Sequence, residues 1–164
     1  MRWRLSRSKS QSGFTLTELI TVVVLIGILS VVATPRMFDM AAVNARGLQD
    51  ETLSFLRYAQ KSAIAQRRVV CVAFTPRSVT VHIGSMSGFT TCDSPLHGPT
   101  GDSVGTLTAT RGAEYSIIPT DFNFNGLGQP VDASGTVLMS NQTLQVDHAS
   151  GPVTVEAVTG YVHD

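Results

Sequence analysis

SGFTLTEL (Ser12–Leu19) decides the architecture of this chain, because it joins a basic leader to a long apolar segment through a glycine and an aromatic residue. From Phe14 to Thr34 the 21 residues carry one charge, the carboxylate of Glu18. A helix of that length is about 31 Å long, close to the hydrocarbon thickness of a bilayer. A carboxylate inside such a span is costly and indicates a function. The stretch therefore predicts a transmembrane helix over 14–34 with a functional acid near its start.

The leader, residues 1–13, is basic. It contains no acid, and its four cations are Arg2, Arg4, Arg7 and Lys9. Positive charge before an apolar span holds that end on the cytoplasmic side. A secretory signal peptide is an alternative with the same basic start, but its apolar core is shorter, carries no charge and precedes its cleavage site. A plain single-pass anchor explains the length of the span and leaves the Gly-Phe junction and the acid unexplained.

Gly13, Phe14 and Glu18, followed by the apolar run, resemble the processing site of type IV pilins and of the pseudopilins of type II secretion. The resemblance implies a cut between Gly13 and Phe14 by a prepilin peptidase, followed by N-methylation of Phe14. It also implies that Glu18 pairs with the N-terminal amine of a neighbouring subunit inside an apolar filament core, where a charge partner relieves the cost of burial. The expected location is the bacterial inner membrane, with a cytoplasmic N-terminus and a periplasmic domain, and then a filament.

Residues 35–66 are predicted to form an amphipathic second half of the same helix. Small and apolar side chains recur at steps of three and four and define one face. That face consists of Ala41, Ala45, Leu48, Thr52, Phe55, Ala59 and Ser62. Gly27 and Pro35 stand where related pilins carry helix-weakening residues, and both residue types lower helix propensity.

Residues 67–164 change to a period of two and are predicted to form a periplasmic β-rich domain. Short alternations of apolar and polar residues, separated by Gly, Pro and Asn turns, indicate strands. The predicted strands are 69–74, 78–83, 106–110, 115–118, 122–124, 136–140, 143–148 and 153–158. Residues 84–105 are rich in Gly, Ser, Thr and Pro, so we expect a long surface loop. The predicted fold class is α+β, with a long N-terminal α-helix packed on an antiparallel β-sheet domain.

A long helix followed by a β-rich domain resembles one branch of the pilin family, the H-type pseudopilins and the FimT/FimU-like minor pilins. The stretches that carry this closer resemblance are 55–64, 68–72, 122–130 and 159–162. Their Gly-Leu-Gly-Gln-Pro and Thr-Gly-Tyr-Val sequences are most similar to the C-type minor pilin of the mannose-sensitive haemagglutinin (MSHA) pilus. The resemblance implies a minor pilin or pseudopilin, a structural subunit of a type IV pilus-like filament. The alternatives are an H-type minor pseudopilin of the type II secretion system, or a tip-displayed module that binds DNA or a surface ligand through residues 84–105.

Charge argues against broad binding of nucleic acid. The leader holds four of the twelve basic residues, so the chain from Phe14 onward has eight basic and twelve acidic residues and a net charge of −4. DNA binding requires a basic footprint. Some minor pilins of this branch bind DNA, which makes Arg67, Arg68 and Arg77 around the first predicted hairpin a candidate contact. Three arginines are more often a solvated face, so nucleic acid is not the expected partner.

The chain has two cysteines, Cys71 and Cys92. The periplasm that the resemblance implies favours disulfides. A bridge between them would close a loop of about 20 residues and add roughly 3 kcal/mol by restricting the unfolded chain. The alternative is a buried free thiol, because Cys71 lies within an apolar predicted strand.

The sequence contains no catalytic constellation that we recognise. Its four histidines stand at no spacing typical of a triad or a metal site, and they are His82, His97, His148 and His163. No cofactor, metal or enzymatic activity is expected. The partners that the resemblance implies are a prepilin peptidase and methyltransferase, other pilins or pseudopilins that contact the N-terminal helix, and the inner membrane.

Overall fold

The computed structural model describes residues 14–33, 40–88, 90–98, 101 and 105–164. The chain divides into two compact units, one that ends at Asp39 and one that covers Met40–Asp164. The predicted leader with Gly13, and the predicted helix-weakening Pro35, lie outside the described residues.

In the first unit, helix α1 runs over Leu16–Ala33. Its start is fixed by Thr15, whose Oγ1 accepts a hydrogen bond from the backbone N–H of Glu18 at 3.3 Å, as an N-cap residue does. The helix is 18 residues long, and it begins two residues after the predicted start at Phe14. Among the described residues, no helix combines the length and the apolarity that a membrane crossing requires.

The second unit begins with helix α2, Met40–Gln66. Its buried residues are Ala45, Leu48, Gln49, Thr52, Phe55, Leu56, Ala59 and Ala63. The middle of the predicted face, from Ala45 to Ala59, is thus confirmed. At its two ends the prediction is wrong, because Ala41 is exposed and Ser62 is only half-buried beside the buried Ala63. The core covers less of the first turns of α2 than the periodicity indicated.

In the ranges that the structure describes, ten short strands follow α2, and the pairings among them are antiparallel. Their bounds are β1 Val70–Thr75, β2 Ser78–Ile83, β3 Ser94–Pro95, β4 Gly105–Thr108, β5 Tyr115–Ile117, β6 Phe122–Phe124, β7 Pro130–Val131, β8 Gln142–Val146, β9 Val153–Val155 and β10 Val162–His163. One sheet has the order β3-β2-β1-β6-β7, with β4 also paired to β2, and the other has the order β10-β9-β8-β5. The α+β fold class, a helix packed on an antiparallel β-sheet domain, is confirmed.

The core lies where α2 meets the two sheets. Strand β1 alternates, so that Val70, Val72 and Phe74 are buried while the residues between them are not. Phe122 of β6 stacks on Phe74 with ring centroids 5.6 Å apart and meets Phe124 edge-on at 5.3 Å. Aromatic pairs at such distances add to the free energy gained from burial alone. The period-two pattern of the sequence therefore identifies the core face of the central strands correctly.

Two parts of the sequence-based prediction are wrong in this unit. The predicted surface loop 84–105 contains strand β3, which pairs with β2, and Leu96, which is only 5% exposed. The predicted strand 136–140 is absent, since Val137 makes a single isolated bridge to Val131. Both errors concern pairings of only one or two residues. Such pairings are too short to show a period of two in the sequence.

Cys71 of β1 and Cys92 form a disulfide, the state that the sequence favours. Next to it, the backbone N–H and the hydroxyl of Ser85 both donate to the carboxylate of Asp93, at 2.7 and 2.8 Å. These contacts close the base of the segment that leaves β2 and returns along it as β3. The segment is therefore tied to the sheet at both ends.

Candidate functional site

The predicted processing and assembly residues lie at the exposed start of α1. Phe14 is 84% exposed and precedes the N-cap Thr15. Thr15 and Glu18 have the Thr-x-x-Glu spacing of a capping box, and Glu18 stands in the first turn of α1. A carboxylate there is stabilised by the positive end of the helix dipole. The Thr-x-x-Glu spacing is the sequence signal for the capping role of Thr15, which the family resemblance alone does not indicate.

The rest of α1 presents apolar side chains on all sides. The exposed ones are Leu16, Leu19, Ile20, Val22, Val23, Val24, Leu25, Ile26, Ile28 and Leu29. A helix that is apolar all round is stable only where its whole surface is buried. The helix continues through Gly27, where an added Cβ would meet no atom within 4 Å, so packing in this structure does not require a glycine there. The helix-weakening role of Gly27 stays a prediction.

The structure separates the three arginines of the candidate DNA contact. Arg67 and Arg68 follow α2, whereas Arg77 lies in the turn between β1 and β2. The six residues of β1 stand between them, which is about 20 Å of extended chain. The guanidinium of Arg77 is also paired with the carboxylate of Glu114. The arginines therefore do not form one basic patch.

Helix α2 ends in a Schellman motif that has an arginine at the position usual for glycine. The N–H of Arg67 donates to the carbonyl of Ile64 at 3.3 Å, and the N–H of Arg68 donates to that of Ala63 at 3.2 Å. Arg67 has the left-handed φ of 52°. That conformation costs a non-glycine residue roughly 1–2 kcal/mol. An added Cβ on Gly126 would lie 3.2 Å from the backbone of Arg67, so the turn that follows β6 packs closely on this strained residue.

Arg67 also lines two adjoining depressions, which we call the Arg67 cleft and the Ile64 groove. The Arg67 cleft has a volume of about 190 Å³, and its polar lining consists of Arg67, Thr90, Asn123, Asn125 and Asp132. The Ile64 groove is wider and more open, and its walls combine the apolar Ile64 and Leu127 with polar residues such as Ser87. A hydrogen bond from the hydroxyl of Ser134 holds the pKa of Asp132 below its usual value, so this side chain is a carboxylate at neutral pH. Among the described residues, no carboxylate pairs with Arg67.

Two turns that carry the closer family resemblance meet next to the groove. Gly160 has a φ of 67°, and an added Cβ on it would lie 1.9 Å from the carbonyl oxygen of Gly128. Gln60 of α2 joins the turns, because its Nε2 donates to the carbonyl oxygens of Gly128 at 3.0 Å and Thr159 at 3.3 Å. Gln60 does not belong to the face that the periodicity predicts for this helix. No local signal reveals its role, since both acceptors are distant in sequence.

The histidines of the described part of the chain stand at the surface or on strands. The Nε2 of His148 lies 3.4 Å from Oδ2 of Asp147, and the Nε2 of His163 lies 3.8 Å from Oε1 of Glu156. Each of these two histidines thus faces one carboxylate. In the ranges that the structure describes, no three His, Cys, Asp or Glu side chains are grouped so that they could hold a metal ion.

Comparisons with known proteins support the reading of the N-terminal segment. Residues 8–34 match the model of the prokaryotic N-terminal methylation motif, the signal of type IV pilins. Two fimbrial proteins of Pseudomonas aeruginosa are each 37% identical to the chain over 76 residues, which is 46% of this chain and 49% of the relative. The chain thus spans about half the length of the curated relatives it matches. No solved structure matches it. The motif and these relatives support the pilin family.

Proposed function

We propose that this chain is a minor pilin, a non-enzymatic structural subunit of a type IV pilus-like filament. The observation that carries the proposal is the methylation motif over 8–34, which contains a helix that is apolar on all sides and whose only charge stands in its first turn. Such a helix requires apolar surroundings over its whole surface, and the packed helices of a filament supply them. The acid is then the one group of α1 that requires a specific partner.

In this proposal, a prepilin peptidase cuts between Gly13 and Phe14, and Phe14 is N-methylated. The cut removes four cations and changes a chain of net charge zero into one of −4. It also creates an amine beside the N-cap of α1. The carboxylate of Glu18 pairs with the N-terminal amine of a neighbouring subunit, so that two opposite charges compensate each other in the apolar core. Thr15 favours this pairing because it fixes the helix start and with it the position of Glu18.

Before assembly, we propose that residues 14–34 anchor the chain in the inner membrane, after the cytoplasmic leader 1–13. The amphipathic helical half 35–66 and the β-rich domain 67–164 lie in the periplasm. Two observations support this location, namely the four cations before the span and the disulfide between Cys71 and Cys92. Disulfides persist in the periplasm and are rare in the cytosol.

Within the pilin family, we assign the chain to the FimT/FimU-like branch, with the C-type minor pilin of the MSHA pilus as the most similar type. Support comes from residues 122–130 and 159–162, which resemble that branch and whose turns contact each other at Gly128 and Gly160. An H-type pseudopilin of type II secretion is the alternative, because it shares the processing site. Deletion of the chain separates the two: loss of surface filaments supports a pilus subunit, and loss of protein secretion with intact filaments supports a pseudopilin.

The assembly role is tested by the substitution Glu18→Ala. We expect the variant to fold and insert but to be absent from filaments sheared from cells, because the N-terminal amine of a neighbour then lies unpaired in the apolar core. The measurement compares the chain in the sheared and membrane fractions by immunoblot. Asp50→Ala, which removes an exposed acid from α2, is the matched control and should enter filaments normally.

Processing is tested on the same fractions by mass spectrometry of the N-terminal peptide. The expected peptide begins at Phe14 and carries one added methyl group. A chain that still begins with the leader, or normal filament incorporation of Glu18→Ala, contradicts the proposal.

A further inference from the structure

The turn that joins β6 to β7 contains an Asn-Gly pair, Asn125-Gly126, whose asparagine side chain is folded over the glycine. The Oδ1 of Asn125 accepts a hydrogen bond from the N–H of Leu127 at 2.9 Å, which makes an Asx-turn. That bond holds Cγ of Asn125 beside the peptide nitrogen of Gly126, which lies between the two bonded groups in the chain. The nitrogen of a glycine is well suited to attack such an amide, because no side chain obstructs its approach.

Two backbone donors converge on the oxygen that becomes negative in this attack. Besides the N–H of Leu127, the N–H of Gln129 donates to Oδ1 of Asn125, at 3.0 Å. Attack on Cγ turns Oδ1 from a carbonyl oxygen into an oxyanion, and donors preorganised around a developing oxyanion lower the barrier to acyl transfer. The leaving nitrogen, Nδ2, donates to Oε1 of Gln129 at 3.3 Å. The turn therefore holds the asparagine amide as an activated acyl group.

The attacking nitrogen is accessible to water. Among the hydrogen bonds of the described residues, the N–H groups of Asn125 and Gly128 close the turn, and the N–H of Gly126 donates none. Asn125 and Gly126 line both the Arg67 cleft and the Ile64 groove, so solvent reaches the pair from two sides. The charged residues on those linings are Arg67 and Asp132, whose opposite charges leave the surroundings of the pair close to neutral.

We propose that Asn125 is a site of self-modification, at which the folded turn promotes deamidation. The N–H of Gly126 gives its proton to hydroxide, and the nitrogen forms a bond to Cγ of Asn125. The bond from Cγ to the side-chain nitrogen then breaks, and that nitrogen takes a proton from water and leaves as ammonia. Water opens the resulting succinimide to an aspartate or isoaspartate residue. The net change is hydrolysis of one amide, with no oxidant or reductant.

The fold can hold the aspartate product. A carboxylate at position 125 accepts the same two backbone hydrogen bonds and accepts them more strongly than an amide oxygen does. The net charge of the chain from Phe14 onward changes from −4 to −5, one further acid beside the twelve already present. The new charge lies on the turn that packs against Gly160. The modification goes beyond filament assembly, because this turn lies outside α1.

The test incubates the full chain in detergent micelles in a mildly alkaline buffer and follows the peptide that contains residue 125 by mass spectrometry. Ammonia release is the second readout. The same chain unfolded in guanidinium chloride gives the rate of the Asn-Gly sequence alone. We expect the folded chain to lose this amide roughly tenfold faster than the unfolded chain, because unfolding removes both donors from Oδ1. The rate should rise with pH, since the attacking nitrogen has to lose its proton.

Asn141 is the matched control within the same chain. Its Oδ1 accepts a backbone hydrogen bond from the N–H of Ala157 at 3.0 Å, and a glutamine follows it in the sequence. It should keep its amide over the period in which Asn125 is converted. Equal conversion at Asn141 overturns the proposal, because the turn then has no specific effect.

The variant Asn125→Asp reproduces the main product and should unfold at about the same temperature as the unaltered chain. Loss of its folded state overturns the claim that the fold holds the product. A folded chain that deamidates at Asn125 no faster than the unfolded chain overturns the promotion by the turn, and with it the proposal.

Discussion

Gly160 illustrates how a single hydrogen atom in place of a side chain can hold two turns together. The carbonyl of Gly128 occupies the space where a Cβ of residue 160 would stand, and the φ of 67° disfavours any side chain there. We expect Gly160→Ala to lower the free energy of unfolding by about 2–4 kcal/mol, from backbone strain together with overpacking. Chemical unfolding monitored by circular dichroism measures the loss.

The matched control for this substitution is Gly112→Ala. Gly112 has a φ of 79°, but an added Cβ there meets no atom within 4 Å. It should therefore cost only the strain of the left-handed conformation, about 1–2 kcal/mol. If both substitutions cost the same, the contact between the two turns does not contribute to stability.

Individual residues differ in how well the sequence predicts their roles. Glu18 stands out because one carboxylate in 21 apolar-rich residues violates the local pattern. Thr15 was detectable too, since the capping-box spacing is a local signal. The left-handed conformation of Arg67 was not detectable, because neither position 67 nor its neighbours in the sequence hold the glycine that usually marks it. The conformation depends on how the chain turns from α2 into β1. Gln60 was equally hidden, since both of its acceptors come from turns that are distant in sequence.

Helix α2 is joined to strand β5 by a buried pair of hydroxyl groups. The Oγ1 of Thr52 lies 2.8 Å from the phenolic oxygen of Tyr115, and it also donates to the carbonyl of Leu48 at 2.6 Å. Tyr115 is only 5% exposed. Burial therefore raises the pKa of Tyr115, and the hydrogen bond with Thr52 offsets part of that shift. The contact is stable only while the phenol stays neutral.

This contact predicts a specific loss of stability at high pH. Because the pKa of Tyr115 is higher in the folded than in the unfolded chain, its contribution is complete below the unfolded value of about 10 and declines as the pH rises through the folded value. Tyr115→Phe should cost about 1 kcal/mol at pH 8 and should lose less stability than the unaltered chain between pH 8 and 11.

Urea unfolding at each pH measures this difference. Tyr161→Phe alters an exposed tyrosine and should keep the pH dependence of the unaltered chain. If Tyr115→Phe follows the same pH dependence as the unaltered chain, the buried phenol does not carry the effect.

Strands were predictable where one face is buried over several residues, and unpredictable where pairing alone defines them. Strands β1 and β2 alternate between buried and less buried residues over six positions each, and the sequence located both within one residue. Strands β3, β7 and β10 have two residues each, too few for any period. The stretch 136–140 has β-branched and apolar residues, but its first residue belongs to the turn at Asp132. The N–H groups of Ser134 and Thr136 both donate to Oδ1 of Asp132.

The described core of the second unit draws on residues of that unit. Among the residues that the structure describes, its buried hydrophobic cluster begins at Ala45 and ends at Val162. We expect a fragment of residues 40–164 to fold in water without detergent and to unfold cooperatively within a few degrees of the full chain in micelles. The full chain should aggregate without detergent, because α1 exposes its apolar side chains. Differential scanning calorimetry and sedimentation measure both expectations.

A fragment that unfolds gradually, or far below the temperature of the full chain, contradicts this prediction. The variant that lacks both cysteines separates an effect of the missing helix from an effect of a lost disulfide. Loss of the two cysteines should lower the thermal unfolding midpoint of the fragment and of the full chain by the same amount, since the bridge lies wholly within residues 40–164.

The closed base of the segment between β2 and β3 has a consequence for how this surface can vary. Ser85, Asp93 and the Cys71–Cys92 bridge fix where the segment begins and ends, whereas the side chain of Met86 is exposed. Changes of an exposed side chain such as that of Met86 therefore cost little folding energy. Side chains on this surface can therefore be exchanged while the sheet beneath them is preserved.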